Sequence, residues 1–401
     1  MTIPLAALHP ATLFTRLSAW LTGAQHATRS LSALRIIYGT SILAFLGTNL
    51  ADRQYLWGVA SAWVEPEAKR AGHFFLFRTL FSKDNAFLFD VSYAILAVLA
   101  LLFLVGWQTR IVTPFLLLFW VGLATNSAVL TNGGDTIMRI ALFFLIFANL
   151  SQHWSVDSWL RNRGRGFVLK LPRRLTPPSW ATNALHNSAV IVCGYQIMVV
   201  YVTSGIYKLQ GEEWRDGTGF YYSLVLDVFR PFPGLSDLAW QFTLFVFVAT
   251  FLSIWVQLLF PVLVLWRPTR IVGLVFLLGM HFGIGLFLGL WPFSLAMIGL
   301  DLLFVRDRSW ERALRWVREV FAVLRDVFVH RRTPGSAVED KTADATDAPD
   351  GSHDEPQPER EAELVGAATN ASPPRVRRNN NLYESRKKVA STSGSRNRST
   401  R

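Results

Sequence analysis

Gln241-Phe-Thr-Leu-Phe-Val-Phe-Val-Ala-Thr-Phe-Leu-Ser-Ile-Trp-Val-Gln-Leu-Leu-Phe-Pro-Val-Leu-Val-Leu-Trp266 runs for 26 residues without an acidic or basic side chain. A bilayer hydrocarbon core about 30 Å thick is crossed by roughly 20 apolar helical residues. The stretch lacks the apolar–polar alternation of a strand, and a backbone surrounded by lipid must satisfy its hydrogen bonds internally. It therefore predicts a transmembrane helix. Working outward, residues 31–49, 87–105, 111–130, 135–151, 186–207, 271–290 and 292–305 read the same way, the last short enough to be tilted or re-entrant. The expected fold class is all-α: a polytopic transmembrane helix bundle of about eight spans, with interfacial helices and a disordered C-terminal tail.

Composition agrees. The 401 residues are 51% hydrophobic and 17% charged, against about 25% charged in soluble domains. The net charge of +12 suggests nucleic acid only until it is located. Residues 375–401 hold nine Lys/Arg against Glu384, so eight of the twelve charges sit there. An acidic run, 339–363, with ten acids and two bases, precedes them. Neither part can bury a core, so 333–401 is expected to be a disordered tail. Its basic end suits anionic lipid, and it has no aromatic interleaving or fold that would point to nucleic acid. Cys193, the only cysteine, permits no intrachain disulfide, and its apolar setting predicts a buried, inert thiol. No small-residue cleavage site follows the first apolar run, which reads as a retained helix. Four regions result: a cytoplasmic segment (1–30), the membrane domain (31–305), an amphipathic basic interfacial helix (306–332) and the tail.

Basic loops orient the bundle. Arg161, Arg163, Arg165, Lys170, Arg173 and Arg174 against Asp157 place 152–185 inside, whereas five acids against three bases place 208–240 outside. Arg267 and Arg270, then Arg306, Arg308, Arg312 and Arg315, fall inside. The chain should be a multi-pass cell-membrane protein with both termini cytoplasmic. The 50–86 loop, outside by this count, mixes Trp57, Trp63, Phe74, Phe75 and Phe77 with Lys69, Arg70 and Arg78, the composition of a helix lying in the interface. Trp310, Leu314, Val317, Phe321, Leu324 and Phe328 recur at helical spacing and predict a second surface helix; a partner-binding helix is the competing reading.

Polar groups inside apolar spans mark candidate sites. Tyr201, Ser204 and Lys208 share one helical face. A lysine withdrawn from water can serve as a base or nucleophile; the alternative is a lysine snorkelling to headgroups. Asp135 and Arg139, four residues apart, can pair, whether as part of a site or as a structural ion pair. His281, flanked by glycines, suits proton transfer, ligand binding or an interhelical hydrogen bond. Asp90, Gln196, Gln257 and Asp301 have no evident role, and Asp301 reads as structural near the inner end. There is no HExxH and no ligand spacing of histidines or carboxylates on one span, so no metal is expected. Gly133–Gly134 reads as a turn before a helix.

Three stretches carry a resemblance: Leu142–Leu160 ending in His153-Trp-Ser-Val-Asp157; Gln196-Ile-Met-Val-Val-Tyr201 continuing to Ser204-Gly-Ile-Tyr-Lys-Leu209 and Trp214; and His281 followed by Pro292-Phe-Ser294. Over roughly residues 30–305 the chain resembles the vitamin K-dependent gamma-carboxylase-like membrane family, also called the HTTM domain. In the carboxylases a lysine at the position of Lys208 deprotonates vitamin K hydroquinone. The oxidised vitamin then takes a proton from a glutamate, and CO2 adds to the carbanion. The resemblance thus implies reduced vitamin K or another quinone as cofactor and Lys208 as base, with His281, Asp135, Arg139, Tyr201, Ser204 and Trp214 around it. Two features depart from the carboxylase pattern. An Asn-His pair of the carboxylases falls at Gly133–Gly134, and their large extracytoplasmic domain has no counterpart. The chain is more similar to a short bacterial branch that includes proteins helping to produce secreted toxin peptides. Two functions stay open: an intramembrane enzyme acting on a quinone-like lipid or exported peptide, or a non-catalytic protein assisting maturation, export or immunity of a secreted peptide. An interhelical cavity with Lys208 within reach of Arg139 or His281 is expected for the first. Oligomeric state is not legible.

Overall fold

The structure is a computed structural model that describes residues 9–61, 63, 74–164 and 177–330. Contacts divide the chain into Met1–Thr333 and Pro334–Arg401. The second unit, and with it the disordered-tail expectation, lies outside the described residues, as do Lys69, Arg70, Arg165, Lys170, Arg173 and Arg174.

The described residues form helices α1 (Pro10–Gly23), α2 (Thr28–Thr48), α3 (Arg53–Leu56), α4 (Phe75–Leu80), α5 (Ala86–Val105), α6 (Thr109–Thr125), α7 (Gly133–Leu145), α8 (Val156–Asn162), α9 (Ser179–Gln210), α10 (Glu212–Arg215), α11 (Gly219–Val225), α12 (Pro233–Gln241), α13 (Thr243–Leu263), α14 (Arg267–Leu288), α15 (Trp291–Asp301) and α16 (Asp307–His330), with short 3-10 turns between some of them. There is no strand among them. Five helices, α2, α5, α9, α13 and α14, are long and apolar enough to cross a membrane. Two shorter apolar helices are α6 and the segment Trp291–Phe304. The eight apolar runs thus all become helices, but not of equal reach. The run at 135–151 yields only the 13 residues of α7, about 20 Å at 1.5 Å per residue. The chain leaves the helix there because the groups that follow are bound sideways: the Asn149 amide donates to His186 Nδ1 (2.9 Å) and the Leu150 carbonyl accepts from Arg35.

Arg35 is fully buried on α2. Its guanidinium donates to Leu150 O (3.2 Å), Phe103 O (2.9 Å) and Trp154 O (2.6 Å), and makes a very short contact with Leu104 O. The end of α5 and the 150–154 turn are thereby tied to one side chain on α2. Carbonyls at a helix C-terminus lack intrahelical partners and carry partial negative charge, so a cation there satisfies both needs. Gly106 closes α5 at φ 72°, and a Cβ there would sit 2.6 Å from Arg35 Nη1; glycine is required on both grounds. Leu31, Leu34, Tyr38 and Ile42 carry the apolar stripe of α2 into the core, and Gly39 lets its backbone meet Leu104 of α5, where a Cβ would lie 2.8 Å away. Opposite, the Tyr38 hydroxyl donates to Ala296 O (3.2 Å) of α15.

Two connecting segments pack against the bundle in part. Residues 55–81 were expected to lie in the interface. The described parts include α3 and α4; Trp63, Phe74 and Phe75 are exposed, whereas Trp57 and Phe81 are buried in the core. Asn126 explains this: its amide donates to Trp57 O (3.3 Å) and Phe81 O (2.6 Å), pinning the loop against the end of α6. Residues 1–30 contain α1, which packs along the start of α9. There the Asn187 amide donates to Trp20 O, Leu21 O and Ala24 O and accepts from His26 N.

Helix α16 is fastened at its start. Trp310 Nε1 donates to Ser30 Oγ (2.9 Å), Arg29 pairs with Glu311 (3.0 Å), and Trp154 meets Trp310 edge-on. Trp316, Phe321, Val323 and Leu324 beyond it are exposed. His153 bridges the junction through Thr28 Oγ1 (3.1 Å).

Replacing Arg35 by Met keeps an apolar stem but strands the carbonyls. At about 1–3 kcal/mol per unsatisfied buried group, unfolding in detergent should fall by several kcal/mol; a midpoint equal to wild type would refute the constraint. At His153, burial and then Arg29 lower the pKa, with Asp307 opposing. The unfolded chain therefore binds more protons at pH values below about 6.5. Stability from this group is present above that pH and lost as pH falls through the depressed folded value. The thermal midpoint should drop between about pH 7.5 and 5, and less so in His153→Gln.

Candidate functional site

Helix α9 carries two polar clusters, separated by two turns, or about 10 Å of rise. The upper one is built on Lys208. Its Nζ donates to Gln257 Oε1 (2.9 Å) and Ser253 Oγ (3.4 Å), both on α13, and lies 4.8 Å from the centroid of the Trp214 ring. Gly205 allows this meeting, because a Cβ there would already lie 3.2 Å from Leu258 Cβ. Gly219 does the same for the indole, where an added Cβ would come within 2.5 Å. No ion pair holds Lys208 among the described residues. Its partners are two neutral oxygens and an aromatic face. Ser253 in turn donates to Thr250 O (2.8 Å), and Gln257 Nε2 touches Met280 Sδ (3.6 Å).

The lower cluster joins three helices. Tyr201 of α9 donates to Asp301 Oδ1 (2.8 Å) and Oδ2 (2.9 Å) of α15, and its oxygen lies 2.9 Å from His281 Nε2 of α14. All three side chains are at most 1% exposed. Phe260 stands edge-on to the phenol and Phe293 to the imidazole. A consistent proton arrangement runs from His281 Nε2–H to the Tyr201 oxygen and from Tyr201 O–H to Asp301. His281 Nδ1 is then a buried acceptor, without a hydrogen-bond partner among the described residues.

The expected single constellation is therefore divided. Tyr201 sits with His281, and Lys208 with Trp214; Ser204 is half-buried between the two levels. Among the described residues Lys208 makes no hydrogen bond to Arg139 or His281, although it lies near enough to His281 for the two to interact electrostatically. Asp135 and Arg139 interact electrostatically but form no direct salt bridge. The Asp135 carboxylate turns back to accept Asn132 N (2.9 Å), while Asn132 Oδ1 accepts Asp135 N (3.2 Å), a reciprocal helix cap. Arg139 donates instead to Asp135 O and Thr136 Oγ1 and lines an open groove with Leu117, Val121, Ile140 and Phe143. Gly133 and Gly134 belong to the first turn of α7 rather than to a preceding turn. A Cβ at 134 would lie 2.6 Å from Phe293 Cα, so α15 occupies the place of any side chain there. Asp301, read as lying near one end and structural, is the carboxylate at the junction of the lower cluster. Ser253 carried no sequence signal, and Gln257 was visible only as a polar residue in an apolar run. The three described cavities lie elsewhere, and Lys208 lines none of them. Among the described residues no group of three His, Cys, Asp or Glu is placed to hold a metal.

A third polar element lies across the bundle. Arg53 of α3 pairs with Asp90 of α5 through Nε (2.8 Å) and Nη2 (3.2 Å), and Gln54 joins at 2.8 Å.

An all-helical bundle with at least five membrane-length helices and buried polar clusters between them defines a multi-pass membrane protein. The chain matches the HTTM domain over residues 25–310 and belongs to that family. It is 22% identical over 146 residues to sporulation-delaying protein SdpB of Bacillus subtilis (strain 168), a match covering 35% of this chain and 40% of that protein. No solved structure matches.

Tyr201→Phe keeps the packing against Phe260 but takes the shared hydroxyl from His281 and Asp301. It should cost about 1–3 kcal/mol in a denaturant titration of the detergent-solubilised protein. Wild-type stability would show that the three groups do not depend on one another.

Proposed function

We propose that the chain is an intramembrane enzyme in which Lys208 takes a proton from a quinone-like lipid or an exported peptide. One observation carries the reading: a largely enclosed lysine whose partners are neutral. With no carboxylate holding it as an ammonium ion, the free amine can accept a proton. Gln257 Oε1 and Ser253 Oγ stand where they stabilise the new charge. The Trp214 face adds to that stabilisation and covers the amine. The resemblance to the gamma-carboxylase-like proteins supports reduced vitamin K as the substrate type. Tyr201, His281 and Asp301 hold α9 against α14 and α15 at the depth below. Asp135 and Arg139 serve the start of α7, not the reacting group. The basic loops support a cell-membrane protein with cytoplasmic termini.

A second reading is favoured by Gly134. The resemblance places the carboxylase histidine there, and the approach of Phe293 leaves no room for one. A non-catalytic protein that assists maturation, export or immunity of a secreted peptide needs no such group. The likeness to a protein named for delaying sporulation is compatible with it.

Membranes containing the protein, supplied with reduced vitamin K and dioxygen, should form the vitamin K epoxide, one oxygen atom entering the epoxide and the other leaving as water. Lys208→Ala should lower the rate by the roughly 10²–10⁴-fold typical of a lost general base, with folding checked by the thermal midpoint. Full activity in Lys208→Ala would overturn the assigned role. Absence of epoxide, together with a Lys208→Ala variant that fully complements a deletion, would favour the second reading.

A further inference from the structure

A groove of about 600 Å³ opens on the bundle surface between α2 and α5. It is distinct from both clusters on α9. Its walls are Leu43, Leu46, Tyr93, Ala94 and Ala97, with Gly47 on the rim. The one ion pair that lines it, Arg53–Asp90, stands at its end near Leu50. Along α2 the lining runs from Leu43 to Leu50 and along α5 from Ala97 back to Asp90, about 10 Å of rise on each helix. The groove is thus apolar along its length and doubly charged at its end, the polarity of an amphiphile lying parallel to the helices. We infer that it binds one phospholipid whose headgroup carries both a phosphate and a primary ammonium, the phosphoethanolamine type.

The assignment rests on charge complementarity and on hydrogen bonds left over. A guanidinium has five N–H donors. Arg53 uses Nε and one Nη2 proton on Asp90 and one Nη1 proton on Leu50 O (2.7 Å). Two donors remain among the described residues, suited to a phosphate oxygen. Asp90 accepts twice at Oδ1, from Arg53 and Gln54, and once at Oδ2. Oδ2 keeps capacity for a further N–H donor. A lone phosphate would meet the Asp90 charge, and a choline headgroup has no N–H to give. A phosphate and an ammonium held a few bonds apart place each charge beside its opposite. Arg53 is about one-quarter exposed and Asp90 about two-fifths, so both are reachable from the bilayer. An added Cβ at Gly47 meets nothing within 4 Å, so the rim is open space rather than a packing defect.

The test uses the full chain in nanodiscs of phosphatidylethanolamine, phosphatidylcholine and phosphatidylglycerol in equal parts, released into native mass spectrometry. One phosphatidylethanolamine should remain bound, favoured about tenfold over either competitor, as expected if one charge-assisted hydrogen bond decides. Gly47→Phe fills the groove without touching the ion pair and should abolish retention at unchanged thermal midpoint. Asp90→Asn should remove the preference over phosphatidylcholine. Equal retention of the three lipids, retention of phosphatidylglycerol alone, or retention unchanged in Gly47→Phe would each overturn the inference. Retention of an isoprenoid quinone in place of phospholipid would overturn it as well.

Discussion

Arg35 is the constraint on which the bundle depends. A fully buried cation inside a membrane-embedded bundle is costly, and a carboxylate partner is the usual remedy. Here four backbone carbonyls do that work. Because the acceptors come from α5 and from the turn after α7, burying one side chain fixes three segments at once. The arrangement leaves Asp157 free to accept Gln108 N (3.0 Å), which starts α6 from the same corner. The unusual backbone there follows: Gly106 at φ 72° and Gln108 at φ 48° are the bends that bring α5 back as α6 beneath the guanidinium.

The same logic separates the polar groups along α9. Small residues decide which helices approach and at what depth. Gly205 admits α13 at the level of Lys208, and Gly285 admits the Trp291 ring, where a Cβ would lie 2.6 Å away. Two turns below, no glycine of α9 faces the junction; a phenol, an imidazole and a carboxylate fill it. Each cluster is bonded by its own neighbours, save for His281 Nδ1 in the lower one.

Much of the fold was legible because hydrophobic length is a direct demand of the bilayer. The span Gln241–Trp266 and its seven companions could be placed without partners. What the sequence could not convey was rotation about each helix axis. Asp301 and Gln257 stood out as polar residues in apolar runs, but their partners lie 100 and 49 positions away. Spacing alone put Asp135 and Arg139 on one face. It could not show that the carboxylate caps its own helix, a closer and already ordered partner. Trp57 is buried for a related reason: aromatic and basic residues in a loop look interfacial until a side chain such as Asn126 is seen holding part of the loop inward. Arg35, the most consequential polar residue, sits within the first apolar run and carried no motif.

The division of the polar groups bears on how Lys208 can work. The lower cluster shares its hydrogen bonds internally, so holding three helices together accounts for Tyr201 and Asp301, and for His281 except at Nδ1. Among the described residues no hydrogen bond joins that cluster to the amine. Lys208 instead faces Trp214, just beyond the end of its own helix, and the exposed Glu212 and Glu213 adjoin that indole. On the proposed reading, a substrate would reach the lysine from the side that Trp214 covers, since Gln257 and Ser253 of α13 hold the other.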